Sequence, residues 1–215
     1  MKQRHTILVD ICWTLFYSNT TFDFLDYLLT NKSYHFIKVL FRLPLIKELN
    51  ILIYKLTGKD IFRNICVKYL RGYTHKELMH KAESFYNDYL EPRKIEEVWQ
   101  LLNEDKEIVL VSGTLDIIAE TVAQHLHATT YYASQLIYNA EEICTGKYQD
   151  FLLNKSTIRE SYRHFDIITD NLTDYPLVLQ AGHTTIVEYN NQKRWQKRTH
   201  NLTNITYIHA DRQRY

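Results

Sequence analysis

Several residue types are scarce in this chain of 215 residues, and each scarcity excludes a class of protein. Five glycines and three prolines are too few for a flexible linker or a low-complexity segment. The three cysteines are an odd number and contain no C-x-x-C pair, which argues against a disulfide framework and favours a reducing cytoplasm. The net charge is only +1, from 26 Lys and Arg against 25 Asp and Glu, so the charge balance does not require nucleic acid or an anionic membrane as a partner.

Long uninterrupted apolar runs are also lacking. The basic start of the chain is followed only by the apolar residues Ile7–Val9, so we expect no secretion signal. The stretch Tyr34–Tyr54 is rich in Phe, Leu and Ile, but charges such as Lys38 interrupt it and Pro44 splits it, so we expect no transmembrane segment. Two interpretations of this stretch stay open, an internal helical pair and an interfacial helix lying on lipid, and we favour the first.

Short runs of apolar, β-branched and aromatic residues predict the strands of a sheet. The predicted strands are Thr6–Val9, Glu107–Val111, Thr129–Tyr132, Phe165–Thr169, Thr184–Val187 and Ile205–Ile208. Helical spacing of apolar residues predicts helices at Asp116–His127 and Ser156–His164. Because strands and helices alternate, we predict an α/β fold, with a parallel sheet covered by helices on both faces.

One long stretch interrupts this alternation. Between about Thr21 and Leu102, apolar residues recur at spacings of three and four, which is typical of helices packed on one side. The pattern predicts an all-helical insertion of roughly 75 residues, long enough to be a domain of its own. We therefore expect a helical domain at residues 19–91 and an α/β core at residues 1–18 and 92–215.

Polar side chains follow the predicted strands at the points where ligands bind in an open parallel sheet. Asp10 follows the first strand, and Cys12 lies two residues further on, so both side chains can face one crevice. The other candidates at strand or helix ends are Thr14, Ser112, Gly113, Lys155, Asp170 and Asp174. Together they combine carboxylates, a hydroxyl group, backbone N–H groups and a lysine.

This combination suits a site for a metal ion and a phosphate group. Asp10 could attack phosphorus and form an aspartyl-phosphate. A Mg²⁺ ion held by Asp10, Asp170 and a backbone carbonyl would neutralise the repulsion between carboxylate and phosphate. The Ser112 hydroxyl and the Gly113 N–H can donate to phosphate oxygens, and Lys155 can balance the charge that develops in the transition state.

Each candidate also has an ordinary structural interpretation. Asp10 and Ser112 are typical of turns and helix caps, and Cys12 is typical of a small buried residue. Asp174 would orient Lys155 or a metal-bound water in such a site, yet an acidic pair spaced like Asp170 and Asp174 also occurs on solvated faces. Their order along the chain and their common place at strand ends favour a metal and phosphate site over these structural interpretations.

Four motifs stand in a fixed order in the sequence. They are Asp10-Ile-Cys12-Trp-Thr14, then Val109-Leu-Val-Ser112-Gly-Thr, then Lys155, then Asp170-Asn-Leu-Thr-Asp174. This set resembles the motifs of the haloacid dehalogenase superfamily, in the branch that is similar to phosphoserine phosphatase and carries a helical cap after the first motif. The first motif of that family reads D-x-D-x-T, so Cys12 stands where the second aspartate is usual.

The resemblance implies a Rossmann-like, doubly wound core with an all-α cap, and a Mg²⁺-dependent phosphatase that works through an aspartyl-phosphate. It implies that Asp10 is the nucleophile. It also implies that Asp10, Asp170 and the backbone carbonyl of Cys12 bind the metal, and that Asp174 lies next to these ligands without binding the metal directly. The phosphate-binding residues that it implies are Asp10, Thr14, Ser112, Gly113 and Lys155.

Two lysines compete for the phosphate-binding position. Lys155 begins a predicted helix and lies fifteen residues before Asp170, whereas Lys147 follows Thr145-Gly146. We favour Lys155 and keep Lys147 as the alternative.

Cys12 bears directly on activity. In the family, the second aspartate of the first motif protonates the leaving oxygen and later takes a proton from the attacking water, and a thiol with a pKa near 8.5 does this poorly. Loss of a positioned general acid or base typically costs about 10² to 10⁴ in rate.

Three functions stay open: a slow or specialised phosphatase, which we favour, a catalytically impaired phosphate-binding protein, and a phosphotransferase. A redox role for Cys12 is a weaker interpretation, because acidic neighbours raise a thiol's pKa.

The resemblance implies a small phosphorylated metabolite as the substrate. Related enzymes act on phosphoserine, on other small metabolites and on lipid phosphates. An aromatic-rich cap would suit a lipid phosphate, but helical core packing explains the same residues.

Overall fold

A seven-stranded sheet organises the protein. The structure, a computed structural model, describes residues 5–29, 32–102, 106–189 and 194–211. The strand order is β4-β3-β2-β1-β5-β6-β7, and every pairing is parallel except that of β3 with β4. The strands are β1 (His5–Val9), β2 (Lys106–Leu115), β3 (Thr130–Tyr138), β4 (Cys144–Gln149), β5 (Phe165–Thr169), β6 (Thr184–Tyr189) and β7 (Ile205–Ala210). The predicted α/β fold with a doubly wound, mostly parallel sheet is confirmed.

The register of the central strands explains where a site can form. Val9 at the end of β1 pairs with Leu110 of β2 on one side and with Ile168 of β5 on the other. The chain leaves β1 toward β2 and later returns to β5 on the opposite side, so strand order reverses at β1. A crevice opens at such a point beyond the carboxyl ends of the strands.

The sheet differs from the prediction at β2 and β3. Strand β2 continues to Leu115, with an irregular register between Val111 and Leu115, so Ser112 and Gly113 lie within a bulged strand and not after its end. Strand β3 continues into an antiparallel hairpin with β4, which was not predicted. The hairpin turn is held by Asn139, whose side-chain oxygen accepts from the N–H groups of Glu141 and Ile143.

The predicted helix at Ser156–His164 is wrong in place and type, because a 3₁₀ helix spans Leu152–Glu160 instead. In a 3₁₀ helix, residues three apart lie above one another. Lys155 and Ile158 are both buried at that spacing, so one edge of the helix turns toward the core. Lys155 therefore lies inside a helix and not at its start.

Helices cover the sheet and fill the chain between β1 and β2. They are α1 (Thr20–Leu28), α2 (Lys32–Arg42), α3 (Pro44–Thr57), α4 (Ile61–Val67), α5 (His75–Phe85), α6 (Glu96–Trp99), α7 (Asp116–Leu126), α8 (Tyr175–Val178) and α9 (Arg194–Thr199). The helix predicted at Asp116–His127 matches α7, which ends where His127 adopts a left-handed conformation, φ +52°. The division into domains at residues 19 and 91 stays a prediction.

Apolar side chains pack on both faces of the sheet. On one face, Leu110 and Val9 join a cluster that includes Phe24 of α1 and Phe85 of α5, so the helices before β2 share a core with the sheet. On the other face, Ile167 of β5 packs in a second cluster with Leu177 of α8. None of the described helices is long and apolar enough to cross a membrane.

Candidate active site

Asp10 stands at the point where β1 ends between its two neighbours. Its backbone N–H donates to the Ile168 carbonyl at 3.0 Å, which continues the pairing with β5 by one residue. The carboxylate is 5% exposed, and its Oδ1 accepts the N–H of Ile11 at 2.7 Å. A buried carboxylate needs such partners, because burying an unpaired charge is costly.

The main partner of Asp10 is a buried lysine. Lys155 Nζ donates to Asp10 Oδ2 at 2.8 Å and to Asp174 Oδ2 at 2.7 Å, and all three side chains are at most 5% exposed. Burial alone would lower the pKa of Lys155, but the charges of Asp10 and Asp174 outweigh it and raise that pKa. Lys155 is therefore a fixed positive charge directly beside the Asp10 carboxylate.

Asp174 anchors the lysine from the far side. Its Oδ2 also accepts from Thr169 Oγ1 at 2.6 Å, whereas its Oδ1 is buried and has no hydrogen-bond partner among the described residues. Burial raises the pKa of Asp174, and the charge of Lys155 opposes that rise. The short helical turn after β5 thus supplies a carboxylate that contacts Lys155, and the roles predicted for Asp174 stay predictions.

Asp170 and Thr14 tie the loops after β5 and β1 together. The Asp170 N–H donates to Thr14 Oγ1 at 3.0 Å, and Thr14 Oγ1 donates to Asp170 Oδ1 at 3.3 Å. The indole N–H of Trp195 donates to the Asp170 carbonyl at 2.9 Å. Thr14 is fully buried, and its hydroxyl contacts Asp170; its predicted role in phosphate binding stays a prediction.

The loop between Asp10 and Thr14 turns sharply at Trp13. Trp13 has φ +56°, a conformation that bulky residues rarely adopt. The Tyr189 hydroxyl donates to the Trp13 carbonyl at 2.5 Å, and the two rings pack edge to face with centroids 5.8 Å apart. These contacts hold the turn that brings Thr14 back to Asp170.

Cys12 lies beside Asp10 and faces threonines. Its Sγ lies 3.0 Å from Thr20 Oγ1, which in turn lies 2.7 Å from Thr114 Oγ1. Burial, and secondly the negative charge of Asp10, raise the pKa of the Cys12 thiol. At neutral pH the thiol is therefore protonated, and its thiolate is disfavoured at this position.

The bulge of β2 faces the same cleft. Ser112 is 1% exposed, and its Oγ accepts the N–H of Thr114 at 3.4 Å. The Gly113 carbonyl accepts from the guanidinium of Arg63 on α4 and from Ser134 Oγ at 3.1 Å. The bulge thus presents a hydroxyl to the cleft while an arginine from the helical region holds its backbone.

A cleft of about 350 Å³ joins these groups. Asp10, Cys12, Ser112, Gly113 and Asp170 from the predicted set line it, together with Trp13, Asn19, Thr21, Phe22, Asp60, Arg63, Thr114 and Asn171. Lys155 contacts Asp10 at 2.8 Å. Lys147 is exposed on β4, where it lines a separate depression with Arg71 and Gly72. Of the two competing lysines, Lys155 is the one that contacts Asp10.

Comparison with models of protein families identifies the family of the chain. Residues 7–177 match the family model described as haloacid dehalogenase-like hydrolase. The chain belongs to this family. The resemblance stated from the motifs is confirmed at the level of the family. Comparison of the sequence with curated proteins gives no significant match.

Solved structures share the fold at low sequence identity. A protein of unknown function from Bordetella pertussis Tohama I has a TM-score of 0.68 at 13% identity, covering 96% of this chain and 99% of that one. A substrate-bound phosphoserine phosphatase has a TM-score of 0.57 at 15% identity, covering 87% of each chain. A phosphoserine phosphohydrolase-like protein from Francisella tularensis has a TM-score of 0.52 at 15% identity and covers 94% of each. These likenesses show the fold.

The oxygen donors at the cleft fit a Mg²⁺ ion, the metal that the family implies. Asp10 and Asp170 both line the cleft, and Mg²⁺ is usually held by one or two carboxylates with several waters. The described residues contain no group of three His, Cys, Asp or Glu side chains that could hold a metal. An ion here would therefore depend on two carboxylates, the backbone carbonyl of Cys12 and water.

Sequence reasoning missed the polar residues that support the site from outside the motifs. Thr20 contacts Cys12, and Thr169 holds Asp174. Arg63 is 4% exposed and carries a buried Nε without a partner among the described atoms. A lone arginine in an apolar helical segment gives no sequence signal of a site, because arginines usually lie on solvated faces.

Proposed function

We propose that the protein is a phosphomonoester hydrolase that forms an aspartyl-phosphate on Asp10. The observation that carries this proposal is the buried contact of Lys155 with Asp10 and Asp174 at the edge of a cleft lined by Ser112. A fixed cation next to a carboxylate nucleophile offsets the negative charge that gathers when a phosphate approaches. Family membership supports hydrolysis as the reaction class.

In the first step, an oxygen of Asp10 bonds to phosphorus as the bond from phosphorus to the leaving oxygen breaks. Lys155 balances the added charge, and the Ser112 hydroxyl donates to a phosphoryl oxygen. Bound Mg²⁺, held by Asp10, Asp170 and the Cys12 carbonyl, would neutralise the repulsion between the carboxylate and the phosphate. In the second step, water attacks the same phosphorus and releases Asp10 and inorganic phosphate.

Cys12 determines how fast both steps run. The leaving oxygen needs a proton, and the thiol can donate one only by becoming a thiolate beside Asp10, which burial and the Asp10 charge disfavour. The protonated thiol cannot take a proton from the attacking water. We therefore infer slow turnover, with a preference for leaving groups that need no protonation.

The same feature supports a second candidate function, a phosphate-binding protein with impaired catalysis. Burial and the charge of Asp10 raise the pKa of the Cys12 thiol, so its low acid strength disfavours proton transfer to a leaving oxygen. Binding through Lys155 and Ser112 would persist without turnover. A phosphotransferase that keeps the aspartyl-phosphate for another acceptor fits the same geometry, but no separate observation favours it.

The substrate that we propose is a small phosphorylated metabolite in a cytoplasmic setting. The helical segment at residues 19–91 would cover the cleft as a cap, since Asn19, Thr21, Phe22, Asp60 and Arg63 from that segment line it. Cap closure would exclude water from the first step and select the leaving group.

Phosphate release from an aryl phosphate in the presence of Mg²⁺ separates the two candidates. The wild type is compared with Asp10→Asn and Cys12→Asp, with Cys12→Ser as the control that removes the thiol without adding a carboxylate. The hydrolase proposal predicts slow wild-type turnover, none in Asp10→Asn, and a gain of about 10²-fold or more in Cys12→Asp alone. Activity absent in the wild type and gained in Cys12→Asp would support the binding protein and overturn the hydrolase.

A further inference from the structure

The helices α2 and α3 carry exposed apolar stripes. Eight of the twelve large apolar side chains that are exposed among the described residues lie between positions 36 and 56. All fourteen residues of α3 are described, and none of them is buried. The stripe on α3 consists of Leu45, Leu49, Leu52 and Leu56, and the stripe that runs along α2 to its end consists of Phe36, Val39 and Leu43. Spacings of three and four place each set on one helical face.

Packing within the protein uses the opposite side of α2. Tyr34 donates to Asp26 of α1 at 2.7 Å, and Lys38 forms an ion pair with the same carboxylate. Phe41 stacks on Phe62, with ring centroids 4.7 Å apart. These contacts hold the helix to the rest of the protein and leave the stripe of Phe36, 69% exposed, facing outward.

The segment is also strongly basic. Residues 32–59 contain six Lys and Arg against one Glu, a net charge of +5, so the rest of the chain carries −4 to give the total of +1. Lys47, Lys55 and Lys59 are exposed, and Lys55 neighbours Leu56 at the end of the α3 stripe. Apolar stripes on a segment of net positive charge, with Lys55 beside the stripe of α3 and Lys59 just beyond its end, match the chemistry of an anionic lipid surface, which offers an apolar interior beneath negative headgroups.

Helix length decides how the segment could meet lipid. At 1.5 Å per residue, α3 is about 21 Å long, short of the roughly 30 Å hydrocarbon core of a bilayer. Pro44 at the start of α3 separates it from α2. We propose that α2 and α3 lie flat on anionic membranes, with the two apolar stripes inserted among the headgroups.

This surface lies next to the catalytic cleft. Phe62 stacks on Phe22 at 4.9 Å as well as on Phe41, and Phe22 lines the cleft. One aromatic column therefore connects α2 to the cleft wall. Docking through α2 and α3 would hold the cleft close to the membrane surface. The docking proposal is independent of whether the cleft turns over phosphate.

Sedimentation with vesicles tests the proposal without substrate or metal. The full chain is mixed with vesicles of phosphatidylcholine and phosphatidylglycerol, or of phosphatidylcholine alone. We expect binding to the anionic vesicles that weakens with salt. The triple variant Leu45→Gln, Leu49→Gln, Leu52→Gln should bind on the order of 10²-fold more weakly. Leu179→Gln, at another exposed leucine, should bind like the wild type.

A charge variant tests whether the lysines of this segment contribute to binding. Removing the two exposed lysines near the end of the α3 stripe with Lys55→Gln and Lys59→Gln should weaken binding by roughly 25-fold. Lys147→Gln, at an exposed lysine of β4, serves as its control. Circular dichroism checks that each variant folds.

Three outcomes would overturn the proposal. The first is wild-type protein that stays in the supernatant with both kinds of vesicle. The second is a leucine variant that sediments like the wild type. The third is a wild type that is dimeric without lipid and a leucine variant that is monomeric, because a second copy of the chain would then cover the stripes.

Discussion

Replacing Lys155 with methionine removes the cation from between two buried carboxylates. The lysine makes hydrogen bonds of 2.8 and 2.7 Å to Asp10 and Asp174, and all three side chains are at most 5% exposed. Removing one partner of a buried ion pair costs about 3 to 5 kcal/mol, because the remaining charge stays buried without compensation. Methionine has a similar length, so the loss of packing is small.

Urea unfolding with the metal chelated measures this cost. With a slope near 2 kcal/mol per molar urea, the midpoint should fall by about 2 M in Lys155→Met. Adding Asp174→Asn to Lys155→Met removes one of the two uncompensated charges and should recover part of that loss. Lys147→Met, at the exposed lysine on β4, should change stability by less than about 0.5 kcal/mol. Equal midpoints for the two single lysine variants would show that Lys155 does not compensate the two buried carboxylates.

Three further outcomes are expected. Arg63→Met should lower the free energy of unfolding by about 1.5 to 3 kcal/mol, because it removes a charged hydrogen bond to the Gly113 carbonyl. Arg71→Met, at an exposed arginine, should change the free energy of unfolding little. Burial raises the pKa of Cys66 to about 12, so its alkylation by iodoacetamide in the folded protein at pH 8 should be about 10³-fold slower than that of a free thiol. That rate should rise roughly tenfold per pH unit as thiolate forms, and reaction at the unfolded rate would contradict the assigned burial. Because Cys12 protonates the leaving oxygen poorly, the wild type should hydrolyse aryl phosphates faster than alkyl phosphates, and Cys12→Asp should narrow that ratio.

Much of the sheet could be predicted because buried parallel strands appear as short apolar runs. The predicted strand Phe165–Thr169 has the same bounds as β5. The predicted strand Thr6–Val9 begins one residue later than β1 and ends at the same residue. The hairpin of β3 and β4 was missed, because the polar sequence of β4 lacks an apolar run and only the Asn139 turn marks it. The bulge of β2 was missed as well, since bulges depend on register and not on composition.

The candidate site was predictable only where a motif marks it. Asp10 follows β1 and Asp174 lies in the helical turn after β5, and the structure joins them through Lys155, whose helix was predicted in the wrong place. Arg63 comes from a distant helix, and its contact with Gly113 depends on tertiary packing that no local pattern encodes. Thr14 has a motif position but bonds to Asp170, which only the folded loop reveals.

Trapping the phosphorylated protein tests the central claim most directly. The wild type is mixed with an aryl phosphate and Mg²⁺, quenched in acid, and its peptides are analysed by mass spectrometry. Because Cys12 disfavours the hydrolytic step, we expect a phosphoryl group on the peptide that contains Asp10, and none on that peptide in Asp10→Asn. Turnover that persists in Asp10→Asn, or a phosphoryl group found on a different residue, would exclude Asp10 as the nucleophile.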